Sequence, residues 1–495
     1  MDSVVAPQSK GLNPPLPLIK YLRAHPDTQF IKWFWISLNG FLYVRTTTKS
    51  RSLSLASTSS PIRVHVSCVG GFTPINTMDP IFVTRVGKTN ICADWKSLRM
   101  ISPTHAAVQC WVSENLSLYK SLAMPSPRQR CPRSCLERVL TCARERHSLV
   151  FLVGFELEFY LVESFEAVTG KGKAEDPLSS KDQHLSRTWS SAACMRGPLA
   201  GCVEECMLAL EAAGLVIEQG HSECSPNQFE ICVGPLPPVA AADALVCAKE
   251  IIKEVSGRCG LFATFLPKPF PSREPVGLHL HLSVHEKLPL SGQEQEQEEL
   301  EGVDQLTHPG TRAKHAVSRD KADAFLAGIL DRFSMLCAFS LPTMDSYART
   351  SDQFVIGRYV AWGRGNMSVA VNEVSTGYWE IRSLDWAANI YLAIAAFVSA
   401  GLLGIREGEK LHWRDPGALM CDLDDNHLRA CSIVDPVPRS FGEAVRSLTQ
   451  RQYGGLEEYL GGEILDLYVI VKEKEHEYLG TVTEEERRAL LAPHF

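Results

Sequence analysis

The chain has no basic excess: 50 Lys and Arg against 57 Asp and Glu leave a net charge of −7. A protein that gathers a polyanion through its field needs the opposite sign, so a nucleic-acid partner is disfavoured. Its 16 cysteines include no Cys-x-x-Cys pair, and 16 in 495 residues is far below the density of a secreted disulfide scaffold. Zinc or disulfide frameworks therefore give way to thiols used as small core residues, and a reducing, cytoplasmic compartment is expected. No clean apolar run of membrane length is present either. Phe30 to Val44 is broken by Lys32 and Asn39, and Leu384 to Ile405 contains Asp385 and Asn389. The second is Ala- and Gly-rich and suits a buried helix better than a bilayer span. No basic segment followed by an apolar core precedes Pro17, so no signal peptide is read.

What is present is ordinary globular usage, 45% hydrophobic and 22% charged, over a length suited to two or three domains. From Thr28 to Thr48 the residues are β-branched and aromatic around Asn39-Gly40, which predicts a hairpin. Ser50 to Ser60 reads as a loop. Strand-like runs at Ile62 to Cys68, Ile81 to Val86 and Ala106 to Val112 continue an N-terminal sheet. Pro125, Pro127 and Pro132 mark a boundary, giving an N-terminal segment 1–26, a small domain 27–124 and a large one 125–495. The large one opens with a helix over Ser134 to Glu145 and a strand over Val150 to Val162. Two polar stretches, 169–191 and 290–316, read as exposed insertions, and from Phe441 onward the apolar spacing is helical.

Four short strands carry ionisable groups opposite an apolar face. In Val153 to Leu161 the period of two puts Glu156 and Glu158 on one side and Phe155, Leu157 and Phe159 on the other. Glu223 and Glu230 bracket a turn and a strand start. Gly277 to Ser283 alternates His279 and His281 with Leu278, Leu280 and Leu282, and Trp379-Glu380-Ile381-Arg382 adds a carboxylate and a guanidinium. Each alone fits a half-exposed strand; four in one chain are harder to dismiss. If the five glutamates met in one cavity, a pair about 4 Å apart would repel by roughly 4 kcal/mol at a dielectric of 20. They would need protons or cations, and oxygen ligands with one imidazole favour Mg²⁺ or Mn²⁺, in more than one site.

These motifs resemble the type I glutamine synthetases. They are Gly154-x-Glu156-x-Glu158-Phe159, Glu223-x6-Glu230, Gly277 to Ser283, Ser346-Tyr347-x-Arg349 and Glu380-Ile381-Arg382, followed by Asp385-x-Ala387-Ala388-Asn389. The flavour is that of the FluG-like fungal branch, which includes γ-glutamyl-amine ligases. The resemblance implies an α+β fold: an N-terminal β-grasp domain and a catalytic domain with a curved antiparallel sheet and surrounding helices. It also implies homo-oligomeric rings and no nucleic-acid or membrane partner. The implied chemistry is amide ligation in two steps, in which glutamate takes the γ-phosphate of ATP as an acyl phosphate and ammonia or an amine displaces phosphate. By the same resemblance Glu158, Glu223 and Glu230 hold one Mg²⁺ or Mn²⁺, and Glu156, His279 and Glu380 another. His281 and Ser283 face the nucleotide, and Arg349 and Arg382 bind the substrate carboxylate or transferring phosphate.

The chain departs from the family at three places. Met367 and Asn372 stand where arginines that contact phosphates are usual, with Arg364 three residues from Met367 as the nearest substitute. The Asn-Gly pair before the His strand is replaced by Glu274-Pro275, and the flap glutamate is not identifiable, Asp352 being the nearest carboxylate after Arg349. Losing an arginine that stabilises a transferring phosphoryl group costs on the order of 10³-fold. The alternative reading is therefore a scaffold that keeps metal and nucleotide binding with weakened turnover. A third is a metal-dependent hydrolase built on the same carboxylates.

Overall fold

The computed structural model describes residues 13–65, 67–70, 88–113, 129–169, 189–287, 316–350 and 358–495. The expected strand Ile81 to Val86, the prolines at 125 and 127, and most of both polar insertions lie outside these residues.

Asn39-Gly40 turns the chain as its composition requires. β1 (Phe30–Ile36) and β2 (Leu42–Thr48) pair antiparallel, with Ile36 opposite Leu42. Gly40 takes φ +94°, a region where a side chain is strained, and a Cβ there would lie 3.1 Å from the Ala387 carbonyl. β3 (Ile62–His65), β4 (Lys88–Ala93), β5 (Arg99–Ser102) and β6 (His105–Ser113) complete a six-stranded sheet in which β6 runs parallel to β1. With the helix that follows β2, this is a β-grasp arrangement.

That helix, Lys49–Ser57, corrects the expected loop at Ser50 to Ser60. Thr48 caps it by accepting a hydrogen bond from the Arg51 amide, and Ser52, Leu55 and Ala56 are buried. One capped, partly apolar face packed on the sheet outweighs the modest helix propensity of serine. Trp33, Trp35, Leu55, Ile91 and Val108 form a core of their own on this sheet. The run from Ile62 to Cys68 is a strand only to His65, and Ser67–Gly70 is a single helical turn.

The helix Pro132–His147 extends two residues beyond the expected one at each end and feeds β7 (Leu149–Val162). Six further strands and β10 build the second sheet: β8 (Ile217–Ser222), β9 (Gln228–Leu236), β10 (Phe262–Thr264), β11 (Leu278–Glu286), β12 (Trp362–Arg364), β13 (Val371–Ser375) and β14 (Tyr378–Ile381). Their order is β12-β13-β14-β11-β7-β9-β8, with β10 beside β7; all pairs are antiparallel except β12 with β13. Irregular registers at Val153/Phe155, Ile217/Gln219 and Glu373/Ser375 are of the kind that bends strands and curls a sheet.

Phe155, Leu157, Phe159, Leu280, Leu282 and Trp379 are buried in one continuous core with the helices. The helix Ile390–Glu407 is long and apolar enough to cross a membrane by length alone, yet 83% of that stretch is buried inside the protein. Its small residues explain its composition. A Cβ on Gly404 would collide with the Ala324 carbonyl, and one on Gly328 with that of Ala400, so this helix and Arg319–Asp331 cross almost backbone to backbone.

Candidate active site

The opposite face of the second sheet carries the ionisable groups, and strand register assembles them. His279 stands across from Glu156, Glu158 across from Glu230, and His281 across from Glu380. Glu223 enters from the turn after β8, where its amide donates to the Gln228 carbonyl at 2.8 Å. Four of the glutamates and both histidines thus reach one face through three strand registers, and Glu223 joins them from a turn.

His279 stands between two carboxylate sets. Its Nδ1 is 2.6 Å from Glu156 Oε2 and 3.4 Å from Glu380 Oε1. Its Nε2 is buried without a hydrogen bond, with Glu158 Oε1 at 3.5 Å. Within each set, Glu156–His279–Glu380 and Glu158–Glu230–His279, the ligating atoms lie within 4.8 Å of one another. Even at 4.8 Å two carboxylates repel by about 3.5 kcal/mol at a dielectric of 20.

The two sets differ in how that charge is met. Burial would raise Glu156, but hydrogen bonds from His279 and His281 hold it well below the usual carboxylate range. Burial and the nearby Arg382 oppose protonation of His279, and the surrounding carboxylates outweigh them and raise it. On the other side, burial together with Glu158 and Glu230 pushes Glu223 up to about 7, although Trp189 Nε1 donates to it at 2.9 Å. His221 meets part of that charge, with Nδ1 3.4 Å from Glu223 Oε1 and Nε2 3.2 Å from Glu230 Oε1.

Neighbouring groups hold the ligands in place. Glu158 Oε2 accepts from the Gly277 amide at 2.7 Å and from Gln228 Nε2 at 3.1 Å. A Cβ on Gly277 would collide with Glu158 Oε1 and lie 2.9 Å from both terminal nitrogens of Arg349, so only glycine fits. Arg349 is 1% exposed; Nη2 donates to the Arg382 carbonyl at 3.2 Å, while Nε and Nη1 have no hydrogen-bond partner. Arg382 in turn binds Glu380 Oε1. His281 is tied to Glu156 Oε1 at 2.9 Å and to the Tyr378 hydroxyl at 2.7 Å, and with Ser283 and Gly377 it lines an adjoining cleft of about 270 Å³.

Two of the departures, Asn372 and Glu274-Pro275, have structural roles. Asn372 Nδ2 donates to Glu380 Oε2 at 2.9 Å, and its Oδ1 accepts from the Asn366 amide at 3.1 Å, so this amide aims a carboxylate. Met367 is 53% exposed. Arg364 is bound to Glu373 at 2.7 Å, and Arg319 binds the other oxygen of that carboxylate at 2.6 Å. Glu274 and Pro275 are fixed through their backbones, by Tyr160 at 2.9 Å, Ser225 at 2.9 Å and Gln228 at 3.1 Å. Asp352 lies outside the described residues.

Sequence reasoning passed over Tyr378, Trp189, His221, Gln228 and Cys232. His221 and Cys232 were detectable in principle, since each lies two residues from a chosen glutamate and so shares its side of a strand or turn. Tyr378 and Trp189 had no local signal.

Fold and site together define an α+β protein with a carboxylate-rich cluster of candidate metal ligands beside a cleft. Comparison with known proteins agrees. Residues 129–490 match the glutamine synthetase catalytic domain. The chain is 29% identical over 369 residues to the protein fluG of Emericella nidulans, covering 74% of this chain but only 38% of that protein's length. It is 30% identical over 360 residues to the gamma-glutamylpolyamine synthetase GlnA3 of Streptomyces coelicolor, covering 70% and 69% of the two chains. A solved structure of a GmaS/ADP complex superposes with a TM-score of 0.68 at 22% identity, over 96% of this chain and 99% of that one, a likeness of fold. The chain belongs to the glutamine synthetase family, a family of ATP-dependent carbon–nitrogen ligases.

Proposed function

We propose that this protein is an ATP-dependent amide ligase that joins the γ-carboxylate of glutamate, or of a closely related acid, to ammonia or an amine. An amine acceptor draws support from the similarity to the protein named a gamma-glutamylpolyamine synthetase. One observation carries the reading: four glutamates, Glu156, Glu158, Glu230 and Glu380, surround one imidazole whose buried Nε2 has no hydrogen-bond partner, a donor set that calls for hard divalent cations.

In this reading Glu158, Glu223 and Glu230 hold one Mg²⁺ or Mn²⁺, and Glu156, His279 and Glu380 hold a second. Bound there, such ions neutralise charge on the phosphoryl group passing from ATP to the acid. The chain's own residues do the rest by position. Gly277 and Gln228 fix Glu158. Asn372 and Arg382 fix Glu380. Arg349, with two unpartnered nitrogens in a dry setting, holds the substrate carboxylate or transferring phosphate, where a charge-assisted hydrogen bond contributes about 1.5–3 kcal/mol. His281 and Ser283 face the nucleotide in the adjoining cleft. Membership of a family of ligases, and the similarity to a protein named a gamma-glutamylpolyamine synthetase, favour turnover over a weakened scaffold.

The proposal extends to a division into domains at 27–124 and 125–495, a homo-oligomeric ring and a cytoplasmic setting. The test of function is ADP release with Mg²⁺ or Mn²⁺, ATP and glutamate, using hydroxylamine as acceptor. Hydroxamate in proportion to ADP is expected. Nucleotide binding without either product would refute the reading for glutamate, and substrate cleavage without ATP would point to a hydrolase.

A further inference from the structure

Beside Glu230 lie three side chains that the ligase reading does not use: the exposed Gln219 and half-buried His221 on β8, and the buried Cys232 on β9. We propose that His221, Glu230 and Cys232 form a separate site for a thiophilic divalent ion of the zinc class, and that filling it inhibits the enzyme by withdrawing Glu230. Register puts His221 across from Glu230, with Cys232 two residues along the same face. His221 Nε2 and Cys232 Sγ are each 3.2 Å from the same oxygen, Glu230 Oε1, and one ligating atom from each residue lies within 4.8 Å of the others. Ligands held ~2.0–2.3 Å from a tetrahedral zinc stand about 3.3–3.8 Å apart, so small side-chain rotations complete the site.

The surroundings suit a metal. His221 Nδ1 is 3.2 Å from the Ser222 carbonyl and 3.4 Å from Glu223 Oε1, acceptors that keep a proton there and direct Nε2 toward the ion. Gln219 Nε2 donates to Cys232 Sγ at 3.4 Å, holding the sulfur beside Glu230. Gln219 and Cys232 both line the 270 Å³ cleft, which supplies an entry path and an open fourth position. Imidazole, thiolate and carboxylate together select zinc, cadmium or cobalt, whereas magnesium prefers oxygen ligands throughout. Binding displaces the thiol proton and any proton on Nε2, so protons are released as the ion enters. Ion binding here does not depend on the ligase reading. The inhibition does, because it follows from sharing Glu230.

The test adds Co²⁺ to the full chain in excess Mg²⁺ and follows near-ultraviolet thiolate-to-cobalt charge transfer. One equivalent is expected to saturate the band and Zn²⁺ to abolish it. Cys232→Ser should remove the band, and His221→Asn should weaken affinity about 100-fold. In parallel, the Zn²⁺ concentration that halves each variant's own magnesium-supported rate should rise about 100-fold in Cys232→Ser. If that variant folds poorly, zinc protection of Cys232 from alkylation in the unmodified protein gives the same answer by peptide mapping. Absence of the band, its persistence in folded Cys232→Ser, or alkylation of Cys232 unaffected by zinc overturns the site. Zinc sensitivity equal in both proteins overturns the inhibitory half. A Cys232-dependent band in a protein without ligase turnover upholds the site and counts against the ligase reading alone.

Discussion

Replacing Glu223 with glutamine removes one charge from the cluster while leaving a carbonyl oxygen to accept the Trp189 indole proton, which Glu223 accepts at 2.9 Å. Burial, with help from Glu158 and Glu230, raises this carboxyl from 4.5 to about 7. That difference is worth about 3 kcal/mol at 1.36 kcal/mol per unit. The sign follows from linkage. A folded-state value above the unfolded one means that the native protein binds the proton more tightly. The associated stability is complete below about 4.5 and is lost as pH rises through about 7. In metal-free protein at pH 8, Glu223→Gln should therefore be more stable than the parent by up to about 3 kcal/mol, and the two should converge toward pH 4.5.

Unfolding entropy near 2.1 cal/mol/K per residue, over 495 residues, gives roughly 1 kcal/mol per degree, so the expected rise in Tm is about 3 °C. Differential scanning calorimetry in chelator between pH 5 and 8.5 reads this directly. Adding Mg²⁺ should narrow or reverse the gap. Saturation at 100 times Kd stabilises the parent by about 2.7 kcal/mol, and the variant gains less because a ligand is gone. Ligase activity should fall sharply in the same protein. A variant no more stable than its parent at pH 8 in chelator, or one with the parent's pH slope, would refute the electrostatic account of the site.

Three other perturbations follow from the geometry. Gly277→Ala should displace Glu158 and reduce the Mg²⁺-dependent rise in Tm while far-ultraviolet circular dichroism stays native; an unchanged magnesium response would contradict the proposed role of Glu158. Arg133 is buried and binds Asp243 through two hydrogen bonds of 3.0 and 2.8 Å and Asp94 at 2.6 Å, with Tyr391 completing Asp243 at 2.7 Å. Arg133→Met should cost about 3–5 kcal/mol in denaturant unfolding, and Arg133→Met with Asp243→Leu should recover only part of it, because the Tyr391 hydroxyl and Asp94 lose these partners. Gly40→Ala, forced to φ +94° against the Ala387 carbonyl, should cost about 1–3 kcal/mol in the same assay, with cross-strand pairing of β1 and β2 unaffected by amide exchange.

How far the site could be read in advance depended on whether its residues repeat. Glu156 with Glu158, and His279 with His281, are visible because a strand alternates, so two ionisable residues spaced by two declare a common face. The hairpin at Asn39-Gly40 is visible because few residues tolerate that turn. The helix at Lys49–Ser57 was hidden by its serines; its stability comes from packing on the sheet, which local composition does not report. β8 was hidden because Ile217–Ser222 has little apolar alternation, and its side chains acquire meaning only from the register that sets His221 across from Glu230. Tyr378 likewise matters only because it reaches His281 across the β11–β14 pairing. Strand-local pattern therefore announces which faces carry chemistry, and pairing decides which groups meet. The β7–β9 register opposes Glu158 to Glu230, and the β8–β9 register brings His221 to it beside Cys232 of the same strand. One carboxylate is thereby placed between a hard oxygen-rich set and a softer nitrogen–sulfur set. An ion bound by either set competes for it, so the choice of metal at Glu230 is a property of the sheet's register as much as of any single residue.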